Sequence, residues 1–486
     1  MTIPKEVKQT LVLLQKSGFE AYVVGGCVRD FLLNQEPEDW DITTNAKPKE
    51  IQKIFSKSFY ENKFLTVTVK TGSKKPKLSE VEITTYRSEA KYSDKRHPDE
   101  VRFAKTLQED LARRDFTVNA LALSVAEGMA GKVIDPFGGQ DDLKNKIIKT
   151  VGDAEKRFSE DALRMLRAIR LATTLGFKIE KKTTEAIKKN SIWLESISKE
   201  RVRDEFLKII MSERAAEGID LLRELELLKF IVKELLENYG VGQNKHHIYD
   251  CYTHALKSLE YTAKKSFNMY VRLAALFHDI AKPRVKVGQG LNSTFYNHEV
   301  IGAKMTFQIL SRLKFSNKDI EKIVKLVRYH LFYYNVGEVS DSSVRRLVKN
   351  VGTDNIEELL QLRQADRIGS GVPKAEPYKL RHLKYTIDKV SRDPISVKML
   401  KVSGNDVMKA LKTKPGPRVG QILDILLSYV LDDPSKNKKA TLDKEIKKLG
   451  NLEDKKLKAL SENSKEEKQK VEKKQDEMTK HKYWVT

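Results

Sequence analysis

Apolar positions repeat with two periods along this chain, and the change from one to the other divides it. Val7, Leu11, Leu13 and Leu14 predict an amphipathic helix within residues 1–20. Tyr22-Val23-Val24 is a short apolar run that stops at Gly25-Gly26, and Val28 to Leu33 then take up a helical period. Residues 39–44, 64–71 and 80–86 read as strands, and residues 46–55 as a helix. In the third of these strands Glu82, Thr84 and Tyr86 are expected on one face. Residues 87–101 are charged without a period and predict a mobile loop. Leu107, Leu111, Phe116 and Leu121 supply a further buried stripe. Residues 158–175 predict one helix, with Ser159 as its N-cap and Gly176 as its stop. Beyond it the pattern is helical throughout. The fold class is therefore α+β, a small mixed or antiparallel sheet with helices followed by an all-α remainder. The expected segments are 1–148, 149–236, 237–392, 393–450 and 451–486. The last is rich in Lys and Glu with few apolar residues, and reads as a solvated helix or a disordered appendage.

The most chemically loaded stretch is residues 22–44. Paired glycines between a strand and a helix let backbone N–H groups approach an anion. If residues 39–42 form a strand, Asp39 and Asp41 point the same way, and two carboxylates so placed repel unless a cation sits between them. Oxygen ligands suit Mg²⁺, which commonly joins carboxylates to substrate phosphates. Taken singly, a Gly-Gly is usually a turn and an Asp-x-Asp usually solvated. Taken together they read as a two-metal phosphoryl-transfer centre. Glu82 is either a third carboxylate beside that pair or a solvent-facing strand residue.

Charge narrows the partner. With 91 Lys and Arg against 68 Asp and Glu, the formal charge is +23, which favours a polyanion, a nucleic acid ahead of a membrane. Only Cys27 and Cys251 occur, so no disulfide framework is expected and a reducing cytoplasm is the natural setting. Neither a signal-peptide core nor a membrane-length apolar run is present in the sequence.

Two further blocks carry polar chemistry. Arg113-Arg114-Asp115 with Asn119 suits a triphosphate and a ribose hydroxyl, guanidinium pairing with phosphate and Asp accepting from O–H. A helix-capping ion pair is the plainer reading. Asp161 and Arg164, three residues apart on a helix, are surface neighbours. A carboxylate accepting an exocyclic amine and a guanidinium donating to a ring nitrogen would take C and A. Uracil and guanine, which present a carbonyl and a ring N–H there, would be refused. An ordinary salt bridge is the alternative, although Arg167 and Arg170 continue the series. Lys182, Lys188, Lys189, Arg201 and Arg203 are candidates for RNA phosphates or simply a solvated face.

The strand, Gly25-Gly26, Arg29-Asp30 and Asp39-Trp40-Asp41 together resemble the signature of the nucleotidyltransferase superfamily, in its class II tRNA nucleotidyltransferase (CCA-adding) and bacterial poly(A) polymerase branch. The resemblance extends through residues 113–120 (RRDFTVNA) and Glu160-Asp161-Ala162-Leu163-Arg164. It implies that Asp39 and Asp41 hold two Mg²⁺, and that Gly25, Gly26, Arg29, Arg114 and Asp115 contact the nucleotide. It further implies that Asp161 and Arg164 read the base, with Arg167 and Arg170 helping to hold the nucleotide. Residues 134–139 would be a hinge, and the loop 87–101, with Arg96, would favour an enzyme that completes the final A. The substrates implied are CTP, ATP and the tRNA 3′ end. Repetitive A addition, or an inactive head on an RNA-binding protein or phosphohydrolase, are the alternatives. On this resemblance the segments become a catalytic head, a base-recognition neck, a helical body, an RNA-binding tail and the appendage.

A second constellation lies in the body. His254, His278-Asp279 and Asp366, with His298 and His330 between, come from a chain with only nine histidines. His and Asp from several helices suit a divalent transition metal. The set resembles the HD-superfamily phosphohydrolase pattern, in which His298 and His330 match the extra ligands of dinuclear members. Pro283 is expected to stop the helix that carries His278. A relic fold that keeps its ligands without activity remains the alternative. Residues 402–408 and 414–420 resemble the RNA-binding tail of HD-containing CCA-adding enzymes, with Pro417 opening a helix.

Overall fold

The computed structural model describes residues 2–61, 65–90, 100–125, 131–244, 248–391 and 397–485. The chain divides into two compact units, residues 1–331 with 357–373, and residues 332–356 with 374–486.

The first unit opens with α1 (Lys5–Lys16), β1 (Ala21–Val24), α2 (Gly26–Leu32), β2 (Asp41–Thr44), α3 (Pro48–Ile54), β3 (Ser58–Glu61), β4 (Thr66–Lys70) and β5 (Glu80–Thr85). It continues through β6 (Arg87–Ala90), β7 (Glu100–Phe103), α4 (Leu107–Ala112), β8 (Ala122–Ser124) and β9 (Lys132–Ile134). Seven strands form one sheet in the order β3-β4-β5-β2-β1-β8-β9. Neighbours in it run antiparallel except β2 and β5, whose parallel register sets Asp41 beside Glu82. Ile42, Val67, Val81 and Ile83 are buried from these strands, while Glu80 and Glu82 alternate to the outer face of β5.

Local departures from the pattern have physical reasons. Leu13 is 47% exposed, because it lies across α1 from the buried Val7, Leu11 and Leu14. β3 gave no sequence signal; it is an edge strand whose Phe59 faces solvent. Tyr86 does not share the face of Glu82. β5 ends at Thr85, and Tyr86 turns into the core, where its hydroxyl donates to Glu20 at 2.9 Å. The predicted loop 87–101 is instead bounded by the antiparallel ribbon β6–β7; Arg96 lies outside the described residues. The stripe of residues 107–121 is drawn from α4, a 3₁₀ turn at Thr117–Asn119 and the approach to β8.

α5 (Gly139–Asn145), α6 (Ala154–Glu160), α7 (Leu163–Leu175), α8 (Lys181–Lys189), α9 (Lys199–Ile210), α10 (Ala215–Glu224), α11 (Leu228–Ile231) and α12 (Lys233–Leu236) follow. The single helix expected over residues 158–175 is two. Asp153, not Ser159, caps the first through Lys156 N–H at 2.8 Å. Asp161 breaks out of helical geometry (φ −142°, ψ 105°) and accepts the N–H of Leu163 at 3.0 Å, starting α7 afresh. A short acidic side chain that can bond its own downstream backbone favours such a restart.

The remaining helices are α13 (Cys251–Lys264), α14 (Met269–Phe277), α15 (Lys282–Val285), α16 (His298–Arg312), α17 (Asn317–Tyr329), α18 (Asp341–Val351), α19 (Ile356–Gly369), α20 (Tyr378–Ser391), α21 (Gly404–Leu411), α22 (Pro417–Asp432), α23 (Lys439–Gly450) and α24 (Asp454–Lys482). Pro283 is not what ends α14. That helix stops at Phe277, and Pro283 sits in the first turn of α15, where its missing N–H is harmless. Pro417 does open α22.

The second unit has its own core of Val407, Ile422, Leu426, Leu442, Ile446 and Leu457. α24 is part of it rather than an appendage. Leu457, Ser461, Ser464 and Thr479 are buried along one side. Asp424 of α22 meets Ser461 and Lys465 at 3.4 Å each, and Asp388 meets Lys482 at 3.0 Å. No helix among the described residues is long and apolar enough to cross a membrane.

Candidate active site and a buried histidine–carboxylate centre

The turn between β1 and α2 is built around a backbone only glycine adopts easily. Gly25 has φ 85° and ψ −139°, and a Cβ there would lie 2.7 Å from Arg114 Nη1 and 3.8 Å from Asp41 Oδ2. Glycine, guanidinium and carboxylate thus converge at one end of the sheet. β2 begins at Asp41, so Asp39 stands just before the strand rather than in it, exposed, with buried Trp40 between them. Burial pushes the Asp41 carboxyl up to about 6; Asp39 and Glu82 add to this as like charges, and Arg114 works against it. Among the described residues, the sets of three ligand atoms gathered within 4.8 Å of one another lie in the helical body, not here.

Arg114 is held from below by a residue that sequence reading missed. Asp110, fully buried, takes Arg113 at 2.9 Å and Arg114 at 3.7 Å, and Thr43 Oγ1 of β2 donates to it at 3.2 Å. Its spacing from both arginines, three and four residues on one helical turn, was the available signal. Asp115 faces elsewhere. It accepts from Arg167 Nε at 2.7 Å and from Asn119 at 3.3 Å. Burial raises its carboxyl, but Arg167 and Arg164 outweigh that and hold it well below the usual carboxylate range. Asn119 also accepts from Arg29 at 2.7 Å, so Arg29, Asn119, Asp115 and Arg167 form one chain of contacts.

Asp161 and Arg164 do not pair with each other. Arg164 donates to Glu160 at 2.6 Å and to the carbonyls of Arg157 and Arg113 at 3.1 and 3.2 Å. Asp161 pairs with Arg201 of α9 at 2.8 Å, and Arg170 with Glu205 of the same helix at 3.1 Å. Several candidates for RNA phosphates are engaged within the protein. Arg201 holds Asp161, Arg203 bonds Asp204 and the Lys314 carbonyl, and Lys189 pairs with Glu155.

The six residues of the body come together in the first unit. His254 and His278 Nε2 atoms are 2.9 Å apart, and both face Asp279 Oδ2, at 3.1 and 3.2 Å. Asp366 closes that side at 3.5 Å from His254. The other oxygen, Oδ1, lies 3.3 Å from His298 and 3.7 Å from His330. Two triads result, His254-His278-Asp366 and Asp279-His298-His330, with Asp279 reaching into both. Lys282, one turn on, caps Asp279 at 2.6 Å. Burial would lower the His278 imidazole, yet Asp279 and Asp366 outweigh it and push it up to about 10. The donor atoms are imidazole nitrogens and carboxylate oxygens, within 4.8 Å of one another in each triad, a set whose chemistry suits a divalent metal.

A glycine turn against a carboxylate-bearing mixed sheet, backed by arginines and joined to a helical neck, defines a nucleotidyltransferase head. Residues 21–149 match the poly A polymerase head domain, 176–238 the RNA- and SrmB-binding site of polymerase A, and 300–446 domain 2 of tRNA nucleotidyltransferase. A CCA-adding enzyme of Ligilactobacillus salivarius is 35% identical over 460 residues, 92% of this chain and 98% of that protein. The Lactobacillus helveticus enzyme is 46% identical over 235 residues, 47% of this chain and 57% of that protein. The crystal structure of the Bacillus stearothermophilus CCA-adding enzyme in complex with CTP superposes with a TM-score of 0.57 at 28% identity, covering 91% of this chain and 97% of that one. The chain belongs to the CCA-adding enzyme family.

Proposed function

We propose that this protein completes tRNA 3′ ends with C, C and A from CTP and ATP, releasing pyrophosphate. The observation that carries this is the convergence of Gly25, Arg114 and Asp41 beside Glu82, in a chain similar to CCA-adding enzymes over nearly its whole length. Asp39 and Asp41 would hold magnesium, whose oxygen-ligand preference suits them and which would supply charge neutralisation at the triphosphate and activation of the attacking hydroxyl. Arg114 lies within reach of the glycine turn, so a triphosphate resting against Gly25 and Gly26 meets its guanidinium. Arg29, Asp115 and Arg167, linked through Asn119, position one another around the nucleotide, and Arg170, held by Glu205, adds its charge there. Asp161 and Arg164 read the base edge. On this division residues 1–148 catalyse, 149–236 select the base, and 393–450 bind RNA. The test is extension of a tRNA lacking CCA with CTP and ATP. Growth by the three nucleotides of CCA supports the reading, and a long ladder of A would make the protein a poly(A) polymerase instead.

A second centre has its own observation, the Asp279 carboxylate reaching both triads. His254, His278, Asp279, His298, His330 and Asp366 would hold divalent transition metal, which supplies Lewis acidity toward a phosphate ester. A metal-dependent phosphohydrolase activity follows. Hydrolysis of bis(p-nitrophenyl) phosphate by metal-loaded protein, lost in H278A, tests it.

A further inference from the structure

We propose that Arg201 is a specificity-determining positioning residue, which fixes the Asp161 carboxylate in the orientation that accepts C and A and refuses U and G. The inference rests on the reading of Asp161 as the base-facing acid. Arg201 reaches from the first turn of α9 and grips both carboxylate oxygens, Nη1 to Oδ1 at 3.4 Å and Nη2 to Oδ2 at 2.8 Å. Oδ1 also accepts the Leu163 N–H at 3.0 Å. A carboxylate has about four lone-pair sites. Among the contacts of the described residues, three are taken, and the one left belongs to Oδ2. An exocyclic amine can donate there, whereas a carbonyl at the same place meets only negative charge.

The clamp matters because Asp161 lacks the support of a regular helix. It stands at the break between α6 and α7, and the Leu163 bond fixes one oxygen but not the plane of the group. A fork of two guanidinium donors does fix the plane. α9 repeats the device one turn later, where Glu205 holds Arg170 at 3.1 Å. The same helix therefore secures both the acid ahead of α7 and an arginine two turns into it. Without Arg201 the Asp161 side chain can rotate away from a uracil carbonyl, and the penalty against the wrong base relaxes.

The experiment compares kcat and KM for CTP against UTP on a tRNA lacking CCA, and for ATP against GTP on one ending in CC. It uses the full chain as wild type, R201A, R201Q, R201K, D161A and the R201A/D161A double variant. R201A and R201Q are expected to cut CTP-over-UTP discrimination by about tenfold, the size of one misaligned hydrogen bond. KM for CTP should rise while kcat changes little, and R201K should restore part of the loss. In the D161A background, R201A should add nothing. An equal fall in kcat/KM for all four nucleotides, or an effect fully additive with D161A, would overturn the proposal. Intact discrimination in R201A and R201Q alongside lost discrimination in D161A sinks the positioning role alone. Intact discrimination in D161A removes the base-reading assignment itself. Melting temperature and tRNA affinity of each variant separate these outcomes from misfolding.

Discussion

Arg114 occupies the space that a side chain on residue 25 would need: its Nη1 lies 2.7 Å from where the Cβ would be. Gly25 also has φ 85° and ψ −139°, a conformation that costs other residues about 1–3 kcal/mol. G25A should therefore lower stability by roughly that amount and displace the guanidinium from the turn. KM for CTP and ATP should rise together, since both triphosphates use the same place. Thermal melts and steady-state kinetics check the two effects separately.

Removing either acid of the metal pair should stop chemistry and leave RNA binding. D39A and D41N each lose electrostatic stabilisation of several kcal/mol, so incorporation should fall by at least about a hundredfold. tRNA affinity, measured by filter binding, should stay near wild type. A D39A enzyme with undiminished turnover would refute the metal assignment.

The Asp41 carboxyl, pushed up to about 6 by its burial and by Asp39 and Glu82, gives a definite pH signature. Its folded pKa is above the ordinary value of 3.8, so the folded protein binds the extra proton between these pH values. Stability of the metal-free protein should accordingly decline as pH rises from about 4 to about 6 and then level. Magnesium must displace that proton, so its affinity should climb with pH through about 6. Calorimetry in buffers of different ionisation enthalpy would show proton uptake by buffer below pH 6 and none well above it.

Asp110 carries Arg113 and Arg114 from a fully buried position. Burial raises its carboxyl, but the two arginines outweigh this and hold it below the ordinary range. The stabilisation is present at neutral pH and lost as pH falls through the lowered folded value. D110N should cost about 3–5 kcal/mol, because it leaves guanidinium charge without its buried partner. Urea unfolding at pH 7 measures the loss, and the gap between variant and wild type should narrow in acid.

The six-residue centre should bind metal with release of protons. His278, pushed up to about 10 by Asp279 and Asp366, is protonated at neutral pH without metal and must give up that proton to become a ligand. Mn²⁺ or Zn²⁺ should raise the melting temperature in a concentration-dependent way, more at pH 8 than at pH 6. H278A should abolish the shift.

The parts of this architecture that sequence made legible are those set by neighbours in the chain. The glycine turn, Trp40 flanked by two acids, the Gly176 stop of α7 and Pro417 at the start of α22 follow from a few adjacent residues. The six residues gathered in the body were legible because histidine is rare here. Longer-range facts were not. Periodicity runs across the Asp161 break without a change of phase strong enough to reveal it, so α6 and α7 read as one helix. Asp110 looked like one acid among many until its burial beneath Arg114 was seen. α24 has few apolar residues, and its packing through Leu457, Ser461, Ser464 and Thr479 leaves almost no hydrophobic signal. Tyr86 followed the alternation on paper and left it at the end of β5.

The one parallel pairing in the sheet has a consequence for how the acidic cluster tolerates change. Because β2 and β5 run the same way, Asp41 and Glu82 stand level although 41 positions separate them in the chain. Lengthening or shortening the connections between them leaves their alignment untouched, provided the strands keep step. A single residue deleted within β5 ahead of Glu82 would instead turn that acid into the apolar interior and bring Val81 or Ile83 out in its place. The centre is thus indifferent to the size of its connecting loops and intolerant of slippage by one position.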